Sequence, residues 1–240
     1  MPMVRNLIPN LLTLFNLFMG CMSLYFVFTQ QFQIVFWLIM AAAIADVFDG
    51  QVARWLGADS DLGKQLDSLA DIVSFGVVPG AILFQLIRYA YDAAHTLSSG
   101  SMGLVLAFCG FIFTIGAALR LATFNIDTRQ TTGFIGLATP GATVMVIGLM
   151  LIHIQGDGEW YEWLLNPYLL LGVTILLFML MLAPIPMFSL KTITSGWADN
   201  KIPILFTVLS IPAMIIFKGP ALVLLPLVYV ILSLLIYRPT

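Results

Sequence analysis

Long apolar runs separated by short polar breaks fill the chain, recurring near residues 11–29, 33–56, 66–91, 101–124, 133–154, 167–189, 201–217 and 219–237. Each approaches the roughly 17 to 25 residues with which a helix crosses a bilayer. The pattern predicts an all-α fold, a polytopic transmembrane helix bundle of about eight spans. Six of these stand apart, and the last two read as a C-terminal hairpin. The break at Phe217-Lys218-Gly219-Pro220 is short, and Pro203, Pro212 and Pro226 place kinks in that quarter. The first run, Leu11 to Phe28, is too long for a signal-peptide core and ends without a small-x-small cleavage site, so it reads as a retained span. No repeat relates the halves and no polar stretch is long enough for a soluble domain. Residues 1–240 therefore read as a single integral membrane domain whose helices must carry any chemistry.

Composition agrees. The 240 residues are 60% hydrophobic and 9% charged, with mean hydropathy +1.01. Ten Lys and Arg against twelve Asp and Glu leave a formal charge of −2, without the basic surplus that neutralises phosphates, so no nucleic-acid partner is expected. The basic residues also set an orientation. With the N-terminus in the cytoplasm, Arg5, Arg54, Lys64, Arg120, Arg129, Lys191, Lys201 and Arg238 fall on the inner side, and Arg88 and Lys218 on the outer. Both termini are then cytoplasmic, and the loop 155–163, with Asp157, Glu159 and Glu162, faces outward. Cys21 and Cys109 lie inside apolar runs and read as packing residues.

The acids locate the chemistry. Asp46, Asp49, Asp67 and Asp71 fall in or at the edge of the second and third spans, where a carboxylate costs ~2.5 to 3.5 kcal/mol at a helix centre. At about 100° per residue, Asp46, Asp49, Gly50 and Ala53 share an arc of about 100°. Gly63, Asp67, Asp71 and Ser74 share one of about 80°. The two helices join on the cytoplasmic side, so their acidic faces can meet near the inner surface. Facing carboxylates with no Lys or His among them suit one or two hard divalent cations, Mg²⁺ or Mn²⁺. Gly50 and Ala53 leave room for a ligand against the backbone, and Arg54 can answer phosphate charge. The combination suits a nucleotide diphosphate.

Asp46-x2-Asp49-Gly50-x2-Ala53-Arg54-x8-Gly63-x3-Asp67-x3-Asp71 resembles the signature of the CDP-alcohol phosphatidyltransferase family at all eight fixed positions. Three further segments are similar to the bacterial membrane-embedded members that use L-serine: Asn6 to Asn10, Asp67 to Pro79, and Arg120 to Asn125 followed by Gly136 to Pro140. In that last region Thr123 stands where the family has a second Arg, and Ala138 where it has Pro. The resemblance covers roughly residues 6 to 145.

What the resemblance implies is transfer of a phosphatidyl group from CDP-diacylglycerol to the hydroxyl of L-serine, with release of CMP, in the inner membrane of a prokaryote and with the site facing the cytoplasm. It implies metal at Asp46, Asp49 and Asp67, and a base at Asp71 that can also touch metal. Gly50, Ala53, Arg54 and Gly63 would meet the donor. Asn10 and Thr13, on one face of the first helix, read either as donor contacts or, for Asn10, as a helix-start cap. Ser74, Arg120, Asn125 and Arg129 would meet the acceptor, and the protein would be a homodimer among membrane lipids. His95 and His153 fall at outer span ends, so direct in-line attack is simpler than a covalent intermediate. Two alternatives stand beside this: the same transfer to glycerol 3-phosphate or inositol phosphate, and an ion-coupled transporter, which would be expected to carry matched acids in both halves.

Overall fold

The computed structural model describes residues 2–58, 60–94, 101–126, 134–188 and 197–236. Asp59, His95, Arg129, Lys191 and Arg238 lie outside them. The helices are α1 (Pro2–Phe28), α2 (Phe32–Leu56), α3 (Asp61–Ala94), α4 (Ser101–Ile126), α5 (Thr139–Gln155), the short α6 (Glu159–Leu164), α7 (Pro167–Leu182) and α8 (Trp197–Ile236). Among the described residues, five stretches are long and apolar enough to cross a membrane: Leu7–Phe28 in α1, then α2, α3 and α4, and Ile204–Leu235 in α8. Helices α5 and α7 are apolar but shorter. The chain is an all-α polytopic membrane bundle, and among the described residues its strands are one two-residue antiparallel pair, β1 (Phe134–Ile135) against β2 (Pro186–Met187).

Local chemistry sets the helix ends around the acidic hairpin. Gly57, at φ 57°, closes α2 in the left-handed conformation, and the Ala58 N–H reaches back to the Ala53 carbonyl at 2.9 Å. Ser60 opens α3, its Oγ accepting from the Gly63 N–H at 3.1 Å. Asp61 lies exposed in the first turn. Helix α3 is the axis of the bundle. Every residue from Val78 to Ile87 is buried, whereas about a third of α1, α2 and α4 is. The remainder of those helices presents an apolar exterior, with Trp37, Val105 and Ile115 facing outward, as lipid contact requires.

Two apolar runs are interrupted sooner than their hydropathy suggests. The run at 133–154 becomes helix only at Thr139, because Ile135 pairs with β2 and Gly136 turns at φ 74° against the Met181 carbonyl. The run at 167–189 stops at Leu182, before Pro184 and Pro186. Cys21 is exposed on the lipid-facing side of α1 and does not pack within the protein as its apolar setting suggested.

The hairpin expected at Lys218 is present within α8. Lys218 leaves the helical region (φ 46°, ψ −114°), and the rings of Phe206 and Tyr229 lie 5.8 Å apart. In a straight helix those residues would be about 34 Å apart. The arms therefore fold back on each other. Their turn is held against α5 through two glycines: an ideal Cβ on Gly148 would sit 2.7 Å from the Val223 nitrogen and 2.8 Å from the Gly219 carbonyl oxygen. Both are backbone atoms with no rotamer to move aside. Gly148→Leu is expected to push the hairpin away and cost about 1–3 kcal/mol as overpacking, read as a lowered melting temperature in detergent.

Candidate active site

Helices α2 and α3 bring the acids together. Ligand oxygens of Asp46, Asp49 and Asp67 lie within 4.8 Å of one another. Asp71, one turn beyond Asp67, is within hydrogen-bonding reach of Asp46 and faces Asp67 and Asp49. Asp49 is buried and its neighbours are partly so. Like charges this close repel unless a cation or proton stands between them, and an all-oxygen set suits a hard divalent ion. The donor set fits the metal that the sequence implied.

Helix α1 forms a third wall. The Thr13 hydroxyl lies 2.6 Å from Asp49 Oδ2 and 3.1 Å from the Pro9 carbonyl, so its single proton serves one of the two, with the carboxylate the shorter contact. Asn10 Oδ1 comes within 3.3 Å of where a Cβ would stand on Gly63, so the glycine makes room for this approach. Asn10 lies two turns inside α1, which excludes the helix-start cap. Asn16 adds a residue that the sequence reading did not single out. It is fully buried, and its Nδ2 donates a long 3.4 Å bond to Asp71 Oδ1. The Asn16 Oδ1 has no partner among the described residues. The signal was present in the spacing: Asn10, Thr13 and Asn16 recur every three residues on one face of a largely apolar helix.

Gly50 and Ala53 are half-buried beside Asp49, and the exposed Arg54 turns its guanidinium back toward Gly50. An ideal Cβ on Gly50 would meet only Arg54 Nη1, at 3.6 Å, an ordinary contact. The fold therefore tolerates a side chain there. Gly50→Leu is expected to leave detergent stability nearly unchanged and to abolish CDP-diacylglycerol binding, because the added volume can only fill the cleft. Normal binding by this variant would leave Gly50 as a helix-packing residue.

The remaining candidates separate. Ser74 is buried and donates its hydroxyl to the Asn16 carbonyl at 3.1 Å. Residues Ile72–Val77 form a π-helical segment, so the 100° step that grouped Ser74 with Asp67 and Asp71 does not carry across it. Asn125 is exposed at the end of α4 and donates to Ser68 Oγ at 2.8 Å. Arg129 lies outside the described residues.

Arg120 is different. It is 7% exposed, its guanidinium lies 5.8 Å from the Phe124 ring centroid, and it faces Asp71 and Tyr229. Its Nε has no partner among the described residues. Helix α4 sets this cation near Asp71. Asp71 thus has carboxylates on one side and a buried guanidinium with an unused donor near it.

The CDP-alcohol phosphatidyltransferase family profile matches residues 6–170, which include all eight signature positions and Arg120. This chain belongs to the CDP-alcohol phosphatidyltransferase family. Among related members of this family, a Helicobacter pylori protein named CDP-diacylglycerol–serine O-phosphatidyltransferase is 35% identical over 186 residues, 75% of this chain and 70% of the relative. A protein of the same name from Mycobacterium leprae is 34% identical over 196 residues, 79% of this chain and 60% of the relative. One from Bacillus subtilis is 30% identical over 142 residues, 59% of this chain and 74% of the relative. One of the family departures also proves harmless to the backbone. Ala138 has φ −62° and ψ 140°, a conformation that proline shares. At the other, Thr123 donates to the Leu119 carbonyl of its own helix at 2.8 Å and replaces a charge with none.

Proposed function

We propose that this phosphatidyltransferase moves the phosphatidyl group of CDP-diacylglycerol to the hydroxyl of L-serine, giving phosphatidylserine and CMP. The observation that carries the reading is the convergence of Asp46, Asp49, Asp67 and Asp71 from two adjacent helices, in a chain related to proteins named for that reaction. The serine oxygen forms a bond to the phosphorus bearing the diacylglycerol while the bond from that phosphorus to the CMP oxygen breaks. Asp71 takes the hydroxyl proton. Asp46, Asp49 and Asp67 would hold Mg²⁺ or Mn²⁺, with Asp71 beside them. When bound, the ion supplies positive charge that offsets the pyrophosphate and the departing CMP.

Thr13 holds Asp49 in one orientation, and Asn16 does the same for Asp71. Gly50 and Ala53 form the floor under the nucleotide, and Arg54 answers its phosphates. Arg120 takes the serine carboxylate, which leaves the hydroxyl end of the amino acid toward Asp71. The placement of eight of the ten basic residues supports a cytoplasm-facing site in the inner membrane, where soluble serine and CMP can enter and leave. The whole chain acts as one catalytic unit, and we propose a homodimer as its working form.

The test is CMP release from CDP-diacylglycerol by the full chain in detergent against a panel of alcohols. L-serine is expected to support release. Release with glycerol 3-phosphate or inositol phosphate but not with L-serine would overturn the acceptor and leave the phosphatidyl-transfer chemistry standing.

A further inference from the structure

Among the described residues, hydroxyl bonds from three neighbouring helices meet on the π segment that follows Asp71. The Val78 N–H reaches back five residues to the Val73 carbonyl, the spacing that defines the segment. Thr114 of α4 donates to the Gly76 carbonyl at 2.9 Å, and a Cβ on Gly80 would collide with that hydroxyl, so the glycine leaves the room in which it sits. Thr143 of α5 lies 2.9 Å from the Phe75 carbonyl and 3.0 Å from the Thr139 carbonyl of its own helix, with one proton for the two. On the third side Ser74 donates to the Asn16 carbonyl of α1 at 3.1 Å. Gly20 permits this approach, since an ideal Cβ there would lie 2.5 Å from Ser74 Oγ.

A π bulge does not by itself fix where along a helix it lies. Any turn can carry the extra residue, and the bulge moves when backbone bonds exchange partners one at a time. Placed one turn earlier, it would fall between Asp67 and Asp71 and turn one carboxylate away from the other. Bonds from outside the helix remove that freedom, because a hydroxyl on α4 or α5 meets its carbonyl only while the segment stays at 72–77. We infer that Thr114 and Thr143 are positioning residues for Asp71, pinning the π segment so that Asp71 leaves α3 on the side of Asn16. The inference rests on the proposed function in one respect, the use of Asp71 as the base.

The experiment measures CMP release by the full chain in detergent, varying CDP-diacylglycerol and L-serine in turn. Thr114→Val keeps the shape of the side chain and removes its donor. It is expected to lower kcat roughly tenfold with both KM values within about twofold. Thr114→Ser keeps a hydroxyl and should stay near the wild type. Thr143→Val should cost less, since its proton is shared, and it carries the test if Thr114→Val does not fold. In an Asp71→Asn background either valine should change nothing further, because both act through that carboxylate. Thr174→Val is the control for loss of a buried hydrogen bond: Thr174 is buried in α7, bonds the Leu170 carbonyl of its own helix at 2.8 Å, and should be replaceable without change in kcat. A second measurement needs no turnover. In a chain carrying Cys21→Ser and Cys109→Ser, the pair Asn16→Cys and Asp71→Cys is oxidised to a disulfide with copper phenanthroline, and adding the threonine-to-valine changes should slow its closure severalfold. Unchanged kcat in both valine variants, the same loss in Thr114→Ser or Thr174→Val, or a further loss in the Asp71→Asn background would overturn the inference. If Asp71→Asn itself retains full kcat, the assigned base fails separately. The disulfide rate then decides the pinning, and closure at the unmodified rate overturns it.

Discussion

Asp49→Asn is expected to stop CMP release, by on the order of 10³-fold or more, without unfolding the protein. A metal held by three carboxylates supplies several kcal/mol of stabilisation where phosphate charge develops, and that energy is exponential in the rate. Asparagine keeps the shape of the side chain and its hydrogen bond from Thr13, but it binds a hard cation much less well. The stability side of the argument has the opposite sign. Asp49 is buried beside Asp46 and Asp67, so removing its charge relieves repulsion. The melting temperature in detergent, measured without added metal, should hold or rise while activity disappears. Asp46→Asn should behave alike. Excess chelator should silence the wild type, and Mn²⁺ or Mg²⁺ should restore it. Full activity in excess chelator would sink the metal site and with it the mechanism.

Asp71→Asn is expected to lower kcat by the ~10² to 10⁴ typical of general-base loss. Its consequence for the donor separates two roles. As a base alone, Asp71 can be lost with CDP-diacylglycerol binding intact, because the donor contributes no proton to it. As a metal ligand too, its loss should weaken donor binding in parallel. Binding of the donor by the variant, compared with its single-turnover rate, makes that separation. Asn16 gives a graded version of the same test. Its 3.4 Å bond orients Asp71 and nothing more, so Asn16→Leu should reduce kcat far less than Asp71→Asn.

The acidic site was legible because acids inside apolar helices are costly, so their spacing carries information undiluted by surface charge. The four aspartates needed only helical geometry and a short connection to be brought together. The fold-back at Lys218 was legible for a similar local reason, a four-residue break between apolar runs. Asn16 was legible only in part: its three-residue spacing from Asn10 and Thr13 marks a polar face on α1, but which carboxylate that face meets depends on the helix opposite, a tertiary fact that periodicity does not contain. Arg120 could be named from its resemblance to family members, but its position against Asp71 depends on how α4 crosses α3. Ser74 was misplaced for a backbone reason, since a constant 100° step fails wherever the hydrogen bonding changes from i→i+4 to i→i+5.

That change of hydrogen bonding divides α3 into two phases. Below Ile72 the helix turns its aspartates toward α2, and from Val78 to Ile87 it is packed on all sides. A π segment is equivalent to one residue inserted into an α-helix, so the face presented below it and the face presented above it are set independently. Deleting one residue from 72–77 would restore a regular helix and rotate the packed half by about 100° relative to the acidic half. Substitutions elsewhere in α3 can be absorbed one at a time, but the length of this segment cannot drift. Over descent, this stretch of the chain should accept exchanges of residue type far more readily than any gain or loss of a single codon.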